Sequence, residues 1–547
     1  MTDRPIKFDR NAESKPRLSP LEDLLDLDSK LLSMVAKRCR IVQRAAKGRQ
    51  VLDRDLEKQL RLGFDLAAKQ QDLDPRVARQ LFPVLNAFGL EPQETRRSSD
   101  KPFALIPRSE PADIDINGPR SLSRTRMLAV MAAATGAPMR LSGVVLNDPL
   151  VELVKALNQA GAHLSWTADE LTSSETQAKA EDSPLRFEDV LVFAGEEPFT
   201  LYVLLALALR EAGRSKFAGG PNLKFLDLRH LDAILPLLGA RLAPMNPRSR
   251  GLPARLESGG RMASRLELTP ETPPLFAQAL ALAAWSYPEG LRLVLSSDPA
   301  AALVQALALD EAVEALTLCQ VSARRKGNEY VIPPCSPKVP AAPTLPLDPT
   351  LSAYLLALPA LAGGVARLSG RLTLPQLVRD DFAALGLPVN IDASVAESRN
   401  DSLTAGVELS MGRQAEYLPL ALTLAVKAGG ARVLLPLDQS ARTRAVDLLE
   451  RLGVEHELQD EALVVAPGTL KGWDGVWTSP DPHSTLALAL FSFLRPGIAI
   501  DNPGGLAFLW PRFWSVYNAL PVVREHAPAP KEPEKHVAVS RKQRVRV

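Results

Sequence analysis

A chain of 547 residues, 46% apolar and 23% charged, has ample material for real cores and, by its length, for several domains. A net charge of +2 and an aromatic content of 5% exclude a nucleic-acid binder built on a basic face or on a base-stacking platform, and no apolar run reaches the ~20 residues that a membrane span needs. Cys39, Cys319 and Cys335 lie far apart and match no metal spacing, so the thiols read as reduced and no metal or cofactor is expected.

The first 17 residues, MTDRPIKFDRNAESKPR, are polar and mixed in charge, which predicts a flexible lead without a targeting signal and a cytoplasmic protein. From 18 to 93 the pattern is purely helical. Leu24, Leu25, Leu27, Leu31, Leu32, Met34, Val35, Ile41 and Val42 make one long amphipathic helix over about 21–47. A second helix is expected over about 54–71, and a third begins where Asp74 caps and Pro75 takes the first helical position. Such a small bundle with one long helix asks for a partner, and a homodimer through these helices would supply one. Residues 94–111, within the polar and Pro-bearing stretch EPQETRRSSDKPFALIPRSEP, read as an interdomain linker.

The body that follows repeats one grammar six times: a small-residue apolar helix, a Gly-containing turn, an alternating strand, and usually a second, amphipathic helix. The first helices run from Met127, Tyr202, Phe276, Tyr354, Leu418 and Thr485; carrying no polar stripe, they should be buried on all sides. The strands are expected at MRLSGVV, SKFAGG, LRLVLSS, ARLSGRL, ARVLLPLD and IAIDNP, and second helices at LVELVKALNQAG, LDAILPLLG, LVRDDFAALG and AVDLLERLG. A break over 327–349 divides the units three and three, giving lobes at 112–330 and 331–522. The predicted fold is thus α/β (α+β), two-lobed, with six βα units behind an all-α domain. The tail 523–547 carries Lys535, Arg541, Lys542, Arg544 and Arg546 and reads as disordered and solvated, with no nucleic-acid partner.

One stretch combines repeat and chemistry. In NGPRSLSRTRM, Gly118, Pro119 and Arg120 form a turn, Ser121 can cap the next helix, and Arg124 and Arg126 sit in its first turns. Free N–H groups at a helix start beside cations suit a phosphate or a carboxylate. An ordinary capped helix with a solvated basic end accounts for the same residues. Asp348, before Pro349, has the same double reading as helix cap or chemical group.

These motifs resemble known families. The helical segment 21–93, with DLDSKLLSMVAKRCRIVQRAAKGR, is similar to the intracellular helical chorismate mutases. The resemblance implies a cationic pocket holding a dicarboxylate, with Arg38 and Arg49 in the positions of its arginine and lysine, Glu57 near its acidic position and Gln93 near its late glutamine. Leu21 stands where that family carries a further arginine. Residues 114–520, six units opened by Gly-x-Arg-Ser, resemble the enolpyruvyl transferases, and within them the 5-enolpyruvylshikimate 3-phosphate (EPSP) synthases.

This second resemblance implies two lobes closing on shikimate 3-phosphate and phosphoenolpyruvate, with no cofactor. It places Arg120 and Ser121 in the anion motif, with Arg124 and Arg126 flanking the family's next arginine at Thr125. Lys224 survives, Arg229 lies near a second family arginine, Asp348 matches a candidate base, and Arg442, Arg444 and His483 lie near later motifs. It departs at Glu196 and Glu197, where the family has a small polar loop, at Thr272, Pro273 and Pro274, and at Phe508, near a late lysine.

Overall fold

The computed structural model describes residues 54–71 and scattered positions between 27 and 85 of the helical segment, together with 102–524 apart from 109, 176–183, 246–250, 400–401, 469 and 471–474. The chain forms two compact units, Met1–Lys101 and Pro102–Val547. No helix among the described residues is long and apolar enough to cross a membrane.

In the first unit Arg54–Gln70 is a helix, and the described positions between 27 and 42 are helical. Cys39 and Val42 are buried, while Leu27, Leu31, Met34 and Ile41 are exposed. Phe64 packs on Phe82 with ring centroids 5.5 Å apart, and the Arg38 guanidinium lies over the same Phe82 ring while donating to the Leu85 carbonyl at 2.8 Å. Arg49 and Gln93 lie outside the described residues, as does the side chain of Glu57, whose backbone belongs to the Arg54–Gln70 helix.

The second unit is built on six helices that are apolar all round: α1 (Leu122–Thr135), α2 (Pro198–Ala208), α3 (Pro274–Ala284), α4 (Pro349–Ala362), α5 (Leu418–Ala428) and α6 (Pro482–Leu494). Beyond the polar first turns of α1 (Ser123, Arg124, Thr125, Arg126) and α6 (His483, Ser484, Thr485), apolar residues fill most positions and are buried, so no face there is suited to water and the helices must pack against one another. They do so as two triplets. α1, α2 and α3 lie in one core, which runs from Met127 to Leu345, and α4, α5 and α6 in a second, which includes Leu105, Ile114 and the residues from Leu347 to Val523. Among the described residues six sheets stand around the triplets, three per lobe. Each expected strand is present, at Met139–Ser142, Gly213–Ala218, Leu291–Val294, Gly364–Ser369, Ala431–Leu434 and Ile498–Ile500. The outer helices Asp148–Gln159, Gln376–Ala384 and Gln439–Leu452 follow the amphipathic pattern; the LDAILPLLG stretch instead forms a turn and the short 3-10 helix Leu235–Leu238, just after another at Leu228–Leu231, because Pro236 interrupts the α pattern.

The lobe boundaries differ from the expected ones. Phe103–Leu105, read above as linker, pairs antiparallel with Ile498–Ile500. Ala112–Asn117, expected to open the first lobe, is a strand of the second: it pairs in parallel with Gly364–Ser369 and with Val522–Arg524, burying Ala112, Ile114 and Ile116. The second unit therefore starts in its second lobe, crosses at 118–121, builds the first lobe, and returns at 345–348. The tail beyond 524 lies outside the described residues.

At Gly364 the backbone has φ +94°, and a Cβ there would stand 1.9 Å from the Ala112 carbonyl oxygen. Gly364→Ala is therefore expected to destabilise the second unit by about 2–4 kcal/mol, measured as the shift in its urea-unfolding midpoint. An unchanged midpoint would contradict the tight parallel pairing of these strands.

Candidate active site at the crossing of the lobes

The two crossing segments bind each other through their backbones. Asp348 N donates to the Pro119 carbonyl at 2.8 Å, Ser121 N to the Pro346 carbonyl at 2.9 Å, and Arg120 bridges Leu347 in antiparallel fashion. This brings the starts of α1 and α4 side by side. Ser121 Oγ caps α1 by accepting from Arg124 N at 3.2 Å. Asp348 caps both helices: Oδ1 accepts from Leu351 N at 3.0 Å, and Oδ2 accepts from Leu122 N at 3.1 Å in the other lobe. The carboxyl is 7% exposed, and burial pushes its pKa up against the opposing pull of these N–H bonds.

Arg120 lies in the same crossing. Its Nη1 donates to the Leu345 carbonyl at 3.3 Å, and a Cβ on Gly370 would stand 2.5 Å from that nitrogen, so glycine makes room for the guanidinium. Arg120 has no carboxylate partner among the described residues, and burial lowers its pKa.

The other expected arginines are engaged. Arg124 pairs with Glu314 of the Pro299–Leu318 helix. Arg126 pairs with Glu197 at 2.5 Å and lies over the Phe199 ring at 5.0 Å. The carboxylates that replace the small polar loop are thus locally satisfied: Glu197 by Arg126, and Glu196 by Asn222 N at 2.8 Å. Glu152 accepts from Glu196 N at 2.8 Å, and burial raises its pKa.

Lys224 is exposed and pairs with no carboxylate among the described residues, whereas Arg229 forks onto Asp227, two residues away. In the second lobe Arg442 donates to the carbonyls of Pro436 and Asp460 at 2.6 and 2.9 Å. Arg444 pairs at 3.2 Å with Asp481, the cap of α6. His483, the second residue of that helix, is partly buried, and burial lowers its pKa. Tyr354 Oη ties these parts together by donating to the carbonyls of Glu416 at 3.1 Å and His483 at 3.4 Å.

A second contact joins the lobes: Asn147, the cap of the Asp148–Gln159 helix, donates through Nδ2 to the Phe508 carbonyl at 3.2 Å. The structure thus brings Arg120, Ser121, Arg124 and Asp348 together at one junction. The guanidinium of Arg126 reaches Glu197 at the start of α2, Arg444 and His483 lie at the start of α6, and Lys224 and Arg229 on the segment after Gly220. Sequence reading missed Glu311, Glu314, Glu416 and Tyr417. The spacing of Glu311 and Glu314, three apart on one helix, was the available signal for the first pair.

Because Asp348 takes a proton more readily in the folded chain than in the unfolded one, folding binds more protons between the ordinary Asp range and the raised value, and this residue's contribution to stability falls as pH rises through that window. Asp348→Asn removes that contribution. Chemical unfolding of both proteins at a series of pH values should show the variant gaining on the wild type as pH rises from the carboxylate range toward neutrality. Parallel curves would contradict the assignment.

No protein-family model matches the chain. Among curated proteins, it is 23% identical over 446 residues to the 3-phosphoshikimate 1-carboxyvinyltransferase of Bordetella petrii, spanning 77% of this chain and 97% of that one. It is 25% identical over 412 residues to the enzyme of the same name from Aeropyrum pernix, spanning 73% and 91%. Among solved structures, the EPSP synthase of Acinetobacter baumannii superposes with a TM-score of 0.62 at 14% identity, over 76% of this chain and 97% of that one. The enolpyruvyl transferase NikO from Streptomyces tendae gives 0.59 at 14% identity, over 75% and 95%. In sequence the chain is thus similar, at low identity, to 3-phosphoshikimate 1-carboxyvinyltransferases, and in fold to an EPSP synthase and an enolpyruvyl transferase.

Proposed function

We propose that the second unit is an enolpyruvyl transferase acting in the crevice between its lobes, moving the enolpyruvyl group of phosphoenolpyruvate onto a hydroxyl of shikimate 3-phosphate. The observation that carries this reading is the buried carboxyl of Asp348, held at the crossing between two helix starts and biased toward accepting a proton. A general base is most effective when its pKa is raised toward the working pH. In the reaction the acceptor oxygen bonds to the enol carbon, its proton passes to Asp348, and the methylene carbon gains a proton. Loss of a methyl proton and departure of phosphate then restore the double bond. Ser121, Arg120 and the α1 start receive anionic groups, where helix dipole and guanidinium share their charge.

The relatives named above are 3-phosphoshikimate 1-carboxyvinyltransferases, which supports this pair of substrates. The engaged cations favour a second reading: a non-catalytic homologue whose crevice binds a metabolite and serves aromatic biosynthesis as a regulatory subunit. Arg124 and Arg126 already have carboxylate partners, so an incoming dianion must displace them.

For the first unit the resemblance suggests a chorismate mutase-like role, with Arg38, Arg49 and Glu57 as its polar set. Here Arg38 already serves the Leu85 carbonyl. The exposed Leu27, Leu31, Met34 and Ile41 recur at spacings of four, three and seven and support pairing with a second copy of the chain. Sedimentation at micromolar concentration should return a dimer for the wild type and a monomer for Leu31→Glu/Met34→Glu; a wild-type monomer would rule the pairing out.

Phosphate release from phosphoenolpyruvate and shikimate 3-phosphate by the full chain tests the transfer. Turnover is expected, with Asp348→Ala slower by about 10²–10⁴-fold. No release by the wild type, with Asp348→Ala indistinguishable, would support the non-catalytic reading instead.

A further inference from the structure

The helix Pro299–Leu318 delivers two carboxylates to the start of α1. Glu311 Oε2 accepts from Ser123 Oγ at 2.7 Å and from Gln278 Nε2 at 3.1 Å, and Glu314 pairs with Arg124. Three residues apart on a helix, the two project from one face. Their partners, a hydroxyl and a guanidinium in the first turn, are groups that a helix start offers to an incoming anion. Both carboxylates are exposed to solvent. Exposed pairs are weak and exchange readily, so they compete with a ligand without sealing the site.

Another side chain points to a ligand at the same junction. Tyr417 is 1% exposed, and its hydroxyl lies beside Thr350, in the first turn of α4, yet makes no hydrogen bond of good geometry. The carboxylates of Glu416, Asp348 and Glu311 lie within electrostatic reach of it. A buried hydroxyl left without a partner is a group that a bound molecule can satisfy.

We infer that Glu311 and Glu314 are built-in competitors for the anionic acceptor at the start of α1, and that the Tyr417 hydroxyl is a hydrogen-bond donor to that acceptor. The inference rests on the crevice being the acceptor's site, as proposed above. It makes the pair of glutamates specificity-determining, since they act most against the acceptor with the greatest negative charge. Glutamine at both positions keeps the polar contacts and removes the charge.

Calorimetric titration of the full chain with shikimate 3-phosphate, without phosphoenolpyruvate, reads binding alone, so the result stands whether or not the protein turns over. Glu311→Gln/Glu314→Gln should bind about threefold to tenfold more tightly than wild type. Tyr417→Phe should bind about fivefold more weakly. A double variant that binds no more tightly than wild type, including the case where neither binds, overturns the competitor role. Tyr417→Phe binding as wild type overturns the donor role. Both glutamates are exposed, so loss of fold is not expected to mask the double variant.

Discussion

One carboxyl group holds the starts of two helices in two lobes. Asp348 accepts from Leu351 N in its own helix and from Leu122 N in the opposite one, at a point where the chain passes twice between lobes. A helix start leaves several N–H groups without partners, and two adjacent starts double that need. A single buried anion meets part of it at both ends. Any ligand that enters the crevice here meets an electrostatic field that the protein has already partly balanced.

That balance recurs at the starts of α1, α2 and α6. Arg126 answers Glu197, Arg124 answers Glu314, and Arg444 answers Asp481. Glu196 and Glu197 stand where the resemblance to the EPSP synthases implies a small polar loop, but they are not electrostatic misfits: one binds a backbone N–H and the other a guanidinium. Removing one partner of such a half-buried pair leaves the other uncompensated, which couples changes in the crevice to stability as well as to binding. Arg120, wedged in the crossing beside the Leu345 carbonyl at 3.3 Å and without a carboxylate partner among the described residues, remains the cation of the crossing best able to meet a new anion.

The architecture was legible because its signals are local. The six buried helices announce themselves by Ala- and Leu-rich runs, and Ser121 and Asp348 by their places before helix starts. What escaped is non-local or depends on context. The strand Ala112–Asn117 belongs to a sheet whose other members lie more than two hundred residues further on, so its lobe could not be read from its neighbours in sequence. Arg126 finds Glu197 across 71 residues and Arg124 finds Glu314 across 190. Sequence places a charge near a motif but cannot say whether a partner from another element has neutralised it. Arg442 shows the converse: near a motif in sequence, it serves two carbonyls elsewhere.

The central claim is that an anionic acceptor binds at the crossing, between the start of α1 and Asp348. The most direct measurement is a crystal structure of the full chain grown with shikimate 3-phosphate. The account predicts the ligand within hydrogen-bond reach of Arg120 and Ser121, with a ring hydroxyl facing the Asp348 carboxyl. A ligand bound at the exposed Lys224 segment with the crossing unchanged, or no bound ligand at saturating concentration, would contradict it.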